Sequence, residues 1–533
     1  MTRRRTAKTP PVFDLNGREG VPDVEACGFK AHNLMRMSAL GLPVPAGFVL
    51  GTAWCNAIGQ NAKAIGSLSE VLQSNIRTLE HQTGLGFGSR RRPLLVSVRS
   101  GAPVSMPGMM DTVLNVGLNE ESLAGLLRLT GDHRLVWDSY SRFIMAFAEI
   151  VECISPRPFE RELDEALARS GAETSRQLDF RALRDLAHRF LELYKHHAGR
   201  EFPQDPAEQL QAATMAVFSS WMSDKAVAYR RLNAIPGEIG TAVTVQRMVF
   251  GNSGGNSGAG VGFTRDPSTG ENHPYVDWLA QAQGEDIVSG RRRVGAEEQI
   301  PTWLMQKLSS VGTVLEEVFR DAQEYEFTVE NGELFMLQTR TAKRTPLASL
   351  RITVDQVDSG LISPEEGLRR LAPIDLDALV VQRIEPGAPP VAQAIPAGVG
   401  VTSGPAAFSP EAAQRFAKRG MSPILVTTEI ATRDIDGLAV AGGVLTSTGG
   451  RTSHAAVVAR QMGKVCLVGC NDLVIDEAAR TAVLGRTTIS EGDRICLDGN
   501  TGSIYSGSPE IINARPQELI DRVNGWRSLA KVG

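Results

Sequence analysis

The chain has 533 residues, of which 42% are hydrophobic and 22% charged, with a formal net charge of −4. That length exceeds a single hydrophobic core and implies roughly two to four domains. The slightly acidic balance argues against a general nucleic-acid binder, and no apolar run is long enough to span a bilayer.

Residues 1–12, with Arg3, Arg4, Arg5 and Lys8 ahead of Pro10-Pro11, read as a disordered basic tail without the apolar core of a secretory signal. CGFKAHNL (27–34) places Lys30 just ahead of a helical segment, and PLLVSVRSGA (93–102) predicts a buried strand that ends at Arg99. From about 120 to 235 the pattern is helical: RFIMAFAEI, RALRDLAHRFLELYKHH and EQLQAATMAVFSSWM all repeat apolar residues at helical spacing. Strand character returns at TAVTVQRMVFG (241–251), before a glycine-dense loop, and a strand pair spans 324–340. Helical spacing resumes after Arg344 and runs to about 372. The Pro/Ala-rich stretch EPGAPPVAQAIPAG (385–398) predicts a semi-rigid linker and a domain boundary. A compact unit follows over 399–508, with strands at ILVTTEI, GVLTST, VCLVG and RICLDG, and 509–533 reads as a polar helical tail. The six cysteines include no CxxC pair. Cys466 and Cys470 are close enough for a metal but have no second ligand pair, so buried thiols in a reducing cytoplasm are expected.

Three stretches can carry phosphate chemistry. The loop GNSGGNSGAG (251–260) has five glycines in ten residues, which allows positive φ and close backbone approach to a ligand. It is either a phosphate cradle or a flexible hairpin tip, and it is not a Walker A loop. In QEYEFTVENGELFMLQTR (323–340), Glu324 and Glu326 share one strand face. A two-residue Asn331-Gly332 turn would pair Glu326 with Leu337 and leave Gln338 on the other face. A three-residue turn would pair Glu324 with Gln338 and gather both carboxylates, Gln338 and Arg340 on one face. That second set suits Mg²⁺ and a polyphosphate, because hard oxygens hold the metal and arginine holds phosphate. Lys30 and Arg99 are basic groups at a helix start and a strand end, able to reach a phosphate or to form structural ion pairs.

The third stretch is STGGRTSHAAVVARQMGK (447–464). Gly449-Gly450 leaves room for close approach, Thr452 or Ser453 can cap the following helix, and Gly463 can stop it. His454 is then expected in the first helical turn, where free amides and the positive end of the dipole favour an anion. The same position lowers its proton affinity, leaving a neutral imidazole that is nucleophilic near pH 7.

Over nearly its whole length the chain resembles the pyruvate phosphate dikinase family. The resemblance rests on FKAHNL, GLPVPAGF, PLLVSVRSGAPVSMPGMMDTVLNVGLN, DSYSRFI, EFPQDP, VFGNSGGNSGAGVGFTRDPSTGEN, AQGED, EFTVENGELFMLQTRTAKRT, GGRTSHAAVVARQMGKVCLVGC and EGDRICLDGNTGSIYSG. It implies an α/β multidomain protein. An ATP-grasp-like nucleotide-binding domain would span 13–345, with a helical subdomain at about 120–235. A helical linker and hinge over 346–398 would lead to a β/β/α swivelling phosphohistidine domain at 399–508. By the same resemblance His454 is the phosphoryl carrier and Arg340 is catalytic. Lys30, Arg99, Gly254, Gly255, Gly258 and Glu324 face ATP or phosphate, and Glu326 and Gln338 face the metal. ATP and Mg²⁺ are the implied cofactors, with inorganic phosphate as co-substrate and no nucleic-acid or membrane partner.

The resemblance also has departures. Glu324 stands where the family usually has aspartate, and Arg451 where it usually has methionine; the added cation is expected to make a phosphoryl group on His454 persist. Thr452 matches a threonine that a regulatory kinase modifies in some members. The family's C-terminal pyruvate and phosphoenolpyruvate barrel has no motif in these residues. The expectation is therefore the partial reaction, with onward transfer only to a separate pyruvate-binding or phosphoenolpyruvate-binding protein.

Overall fold

The computed structural model describes residues 10–60, 62–104, 106, 109–172, 174–284, 300–385, 387, 389–430, 435–450, 456, 458–459, 462–476 and 478–530. The chain divides into two compact units, Met1–Ser257 with Val329–Thr339, and Gly258–Thr328 with Arg340–Gly533.

The first unit is built on a five-stranded antiparallel sheet. Its order is β1 (Val12–Asp14), β2 (Gly47–Leu50), β7 (Ala242–Arg247), β5 (Val96–Gly101) and β6 (Thr112–Val116). A short pair, β3 (Gly86–Phe87) with β4 (Pro93–Leu94), precedes β5. The expected helical region holds the helices Glu120–Thr130, His133–Ile150, Arg157–Ser170, Phe180–Ala198, Pro206–Ser219 and Asp224–Leu232. Their ends are chemically marked. Asn119 and Ser122 form a reciprocal capping box, Asp132 and Asp179 accept from first-turn amides, and Gly131, Gly171 and Gly199 close helices in the left-handed region. Apolar spacing turns one face of each helix inward. Phe143, Phe147 and Tyr194 surround Phe202 at centroid distances of 5.5, 5.3 and 5.1 Å, in one core with Val96, Val98, Val243 and Val245 of the sheet.

In the second unit, β8 (Gly258–Phe263) pairs with β9 (Tyr275–Ala280), within a sheet of order β11-β10-β8-β9. Here β10 is Gln323–Glu330 and β11 is Glu333–Thr341. The glycine-dense loop is shorter than expected: Gly258, Ala259 and Gly260 belong to β8. The physical reason is ring packing. A Cβ on Gly258 would lie 2.2 Å from the Trp278 ring, one on Gly260 2.2 Å from Phe327, and one on Gly262 2.3 Å from Tyr325. The helix Pro346–Asp358 covers this sheet through Ala348 and Ile352, which join Ala259, Val261 and Phe263 in one cluster.

The C-terminal part has three layers. Its central sheet has the order β13-β23-β22-β15-β16-β17-β18-β14, from β13 (Ala392–Gln393), β14 (Ile395–Gly398), β15 (Val401–Ala407), β16 (Ile424–Thr427), β17 (Gly443–Thr446), β18 (Val465–Val468), β22 (Arg494–Asp498) and β23 (Ser503–Ser506). The run β15 to β18 is parallel. A three-stranded antiparallel sheet, β19 (Leu473–Asp476), β20 (Thr481–Leu484) and β21 (Thr487–Ser490), buries Leu473, Leu484 and Ile489 against one face. Leu438, Ala456 and Ala459 cover the other face.

Two expectations about the connections are corrected. Residues 392–398 were expected in the linker but are strands β13 and β14. Pro396 is accommodated because β14 is an edge strand with a register shift between Pro396 and Gly398. The tail after 509 is not simply polar and helical. It begins with β24 (Ile511–Ala514), which pairs antiparallel with β12 (Val381–Ile384). The helix Gln517–Ala530 then buries Ile520, Val523 and Trp526 against Leu350, Val354 and Leu371 of the helices Pro346–Asp358 and Pro364–Leu371. Both connections therefore start from one small helical module.

Candidate functional site

Three groups of expected site residues can be placed. The first lies at the end of β5. Gly28, at φ +79°, turns the chain into the helix Phe29–Ala39, and the Phe29 N–H donates to Ala102 O at 3.0 Å. The approach is so close that a Cβ on Gly28 would lie 1.8 Å from Gly101 O. This brings Lys30 beside Gly101, since a Cβ there would be 3.6 Å from that of Lys30. Arg99 lies two residues earlier on the same face of β5, half-buried, and its guanidinium donates to Leu337 O at 3.5 Å. Two cations from separate segments are thus set at one strand end.

The second group is the glycine loop with the tip of the β10-β11 hairpin. Asn331 and Gly332, at φ 51° and 84°, form a two-residue turn with both positions left-handed. Gly332 N–H donates to Asn256 O at 2.9 Å, and Asn331 N–H donates to Ser257 Oγ at 2.9 Å. Ser257 Oγ in turn donates to Ser253 O. At the loop base, Phe250 N–H donates to Glu330 Oε1 at 2.8 Å, and Arg247 donates to Glu330 Oε2 at 2.9 Å. Burial pushes the Glu330 carboxyl up, against the Phe250 amide and the Arg247 charge. Ser253 and Ser257 are buried while Gly254, Gly255 and Asn256 are exposed, and a side chain added at Gly255 would meet no atom within 4 Å. Gly254 and Gly255 are therefore at an open loop tip, whereas Gly258 lies buried in β8 with a packing reason to be glycine.

The third group is on the hairpin strands. With a two-residue turn and regular pairing, Gln338 and Arg340 would point away from Glu324 and Glu326. Burial along β11 picks out Leu334, Met336 and then Thr339, so the alternation slips by one residue. Arg340 lies on the carboxylate face, where its guanidinium is 2.5 Å from Glu324 Oε1. Gln338, two positions earlier, shares that side of the strand. Burial acts to lower the Arg340 pKa, but Glu324 and then Glu326 outweigh it and raise the value. Glu324 and Glu326 present their carboxylates on one face of β10.

Neither His454, Arg451 nor Thr452 lies within the described residues. Their frame is described. β16, β17 and β18 end side by side, where a parallel sheet offers its ligand-facing edge. Ser447 N–H donates to Thr427 O at 3.2 Å, Thr448 N–H to Thr428 O at 3.0 Å, and Cys470 N–H to Thr446 O at 2.9 Å. Gly449, at φ +96°, sets its carbonyl against Gly469, at 2.7 Å from the position of a Cβ there. Cys466 and Cys470 are fully buried, and burial pushes the Cys470 thiol up to about 11. Among the described residues no cluster of three or more His, Cys, Asp or Glu could hold a metal, and no helix is long and apolar enough to cross a membrane.

Sequence reasoning missed the Glu330–Arg247 pair, whose members lie 83 residues apart. The one available signal was an acid immediately before Asn-Gly.

Residues 64–298 match the family described as pyruvate phosphate dikinase, AMP/ATP-binding domain, and residues 421–502 match the PEP-utilising enzyme, mobile domain. The chain is 43% identical over 509 residues to the pyruvate, phosphate dikinase of Clostridium symbiosum, covering 94% of this chain and 58% of that protein. It is 40% identical over 546 residues to that of Rhizobium meliloti (98% and 61%) and 41% identical over 531 residues to the chloroplastic protein of Flaveria pringlei (98% and 55%). The chain spans less than two thirds of the length of these relatives.

Proposed function

We propose, from the matches to the pyruvate phosphate dikinase AMP/ATP-binding domain and to the PEP-utilising mobile domain and from 40–43% identity to pyruvate, phosphate dikinases, that the chain catalyses phosphorylation of its own His454 from ATP and inorganic phosphate. A neutral His454 nitrogen attacks the β-phosphorus of ATP, and AMP leaves with the electron pair of the broken P–O bond. A phosphate oxygen then attacks the γ-phosphorus, releasing pyrophosphate and leaving one phosphoryl group on His454. Transfer of that group to pyruvate is the proposed next step.

The observation that carries this reading is that the tip of the β10-β11 hairpin holds the glycine loop, with Glu330 on Phe250, Asn331 on Ser257 and Gly332 on Asn256. In the proposal the nucleotide domain is ATP-grasp-like, with the amides near Gly254 and Gly255 against phosphate oxygens. Lys30, Arg99 and Arg340 balance the negative charge that builds on the transferring groups. Mg²⁺, when held by Glu326 and Gln338 with Glu324 nearby, supplies charge neutralisation of the polyphosphate. The domain of residues 399–508 is proposed to swivel, carrying His454 to and from the nucleotide. A reducing cytoplasmic setting belongs to the same proposal, supported by the buried free thiols of Cys27, Cys466, Cys470 and Cys496.

The test is incubation with β-labelled ATP, phosphate and Mg²⁺. Acid-labile label on the wild type and none on His454→Ala is expected. Absence of label on both, with ATP bound, would instead identify an ATP-binding carrier or regulatory module. Adding pyruvate to labelled protein then shows whether these residues alone discharge the group.

A further inference from the structure

We propose that Glu330 is a positioning residue that holds the glycine loop in its nucleotide-ready shape, through one carboxylate shared between the loop base and Arg247. This rests on the reading that the loop contacts ATP phosphates.

Five contacts converge. Glu330 Oε1 takes the Phe250 N–H at 2.8 Å, which anchors the residue immediately before the loop. Glu330 Oε2 takes the Arg247 guanidinium at 2.9 Å, which ties the hairpin tip to the last residue of β7. The same guanidinium lies over the Phe335 ring at 5.7 Å, so Arg247 touches both strands of the hairpin. Beyond Glu330, Asn331 and Gly332 donate to Ser257 and Asn256 at the far side of the loop. The loop is therefore gripped at both ends by three consecutive residues, while its tip at Gly254 and Gly255 stays open.

A carboxylate suits this place better than a neutral group. It has acceptor sites for the backbone amide and for an arginine at the same time, and hydrogen bonds to an ion are stronger than neutral ones. The side chains of Arg247 and Glu330 are only 29% and 16% exposed, so water competes poorly for them. With the carboxylate gone, the Phe250 amide and the Arg247 charge lose their shared partner, and the loop must be ordered anew each time a nucleotide binds. That cost falls on binding rather than on bond breaking.

The experiment compares wild type, Glu330→Gln and Glu330→Ala by amide hydrogen exchange over 249–257 and by the kinetics of phosphoenzyme formation. Glu330→Ala is expected to speed exchange in that segment by about tenfold and to raise the KM for ATP by about tenfold, with kcat changed by less than about threefold. Glu330→Gln retains an acceptor for Phe250 and is expected to recover a large part of the protection and of the KM. Unchanged exchange in Glu330→Ala overturns the clamp, and so does a fall in kcat at constant KM. Faster exchange with unchanged KM overturns the positioning role in nucleotide binding. If the wild type itself forms no phosphoenzyme, the functional reading fails while the exchange result still decides whether Glu330 orders the loop.

Discussion

The Arg340 guanidinium and the Glu324 carboxylate meet at 2.5 Å across the two strands of one hairpin, with only 23% and 11% of the side chains exposed. The contact lies where the burial alternation of β11 shifts, after Met336, and it holds the arginine against a carboxylate. Removing one partner of such a pair leaves an ion with little water and no counter-charge. Arg340→Ala is therefore expected to lower the unfolding free energy by about 3 kcal/mol in urea titrations. Label transfer to His454 should fall by about a thousandfold. Arg340→Lys restores charge but not the planar fork, and should recover stability more than rate. A variant as active as wild type would remove Arg340 from the transfer chemistry.

A second prediction separates glycines that pack from a glycine that admits a ligand. Gly260→Ala and Gly262→Ala drive a methyl into the Phe327 and Tyr325 rings, at 2.2 and 2.3 Å, in a core with no slack. Each is expected to cost about 3 kcal/mol and to lower the thermal midpoint of the nucleotide domain. Gly255→Ala meets nothing within 4 Å, so its thermal midpoint should match wild type. Its KM for ATP should nonetheless rise by about tenfold, because the methyl occupies space that phosphate oxygens need. An unchanged KM would argue that the loop tip stands clear of the nucleotide.

Much of this was legible in the sequence where a long periodicity or a dense motif carried it. The helices between Glu120 and Leu232 repeat apolar residues often enough to survive local exceptions, and Glu324 and Glu326 declare a shared face by alternation alone. The shift of burial along β11 from Met336 to Thr339 was not legible, because it changes no composition. Gly258 and Gly260 looked like loop because the rings that require them, on Trp278 and Phe327, lie many positions away. Ala392–Gly398 looked like linker because proline argues against an interior strand and says little about an edge. The grip of Glu330 on Arg247 depends on two strands meeting, which only the fold supplies.

The buried thiols give a pH dependence with a definite sign. Burial raises the thiols of Cys27, Cys470 and Cys496 from 9.0 to about 11. Each favours the neutral form in the folded state, so its contribution is fully present below pH 9 and is lost as pH rises through 11. The loss is about 1.4 kcal/mol per pH unit for each thiol in that window. Thermal midpoints should hold to pH 9 and then fall, more shallowly in Cys496→Ala than in wild type. At pH 8 the exposed Cys153 should alkylate well before these three. Equal labelling of all of them in the native protein would contradict their burial.

The strands Val381–Ile384 and Ile511–Ala514, which flank residues 399–508, are paired with each other, which bears on the swivel proposed for those residues. Val381–Ile384 and Ile511–Ala514 form one antiparallel ribbon, extended by the Glu385 N–H donating to Glu510 O at 3.0 Å. Two independent tethers would let the domain tumble, whereas a ribbon bends mainly across its plane, and the proposed swing of His454 would follow a narrower arc. Because 385 and 510 form a hydrogen-bonded pair, the neighbouring Ile384 and Ile511 form a non-hydrogen-bonded pair, with Cα atoms about 4.5 Å apart, within disulfide range. Cysteines placed at Ile384 and Ile511 are therefore expected to bridge under mild oxidation. If the ribbon moves as one body, the bridged protein should label His454 within about twofold of its reduced form, since no strand separation is needed. A loss of tenfold or more on bridging, reversed by reductant, would show that the strands must part during the swing. It would place the pivot inside the ribbon rather than at its two ends.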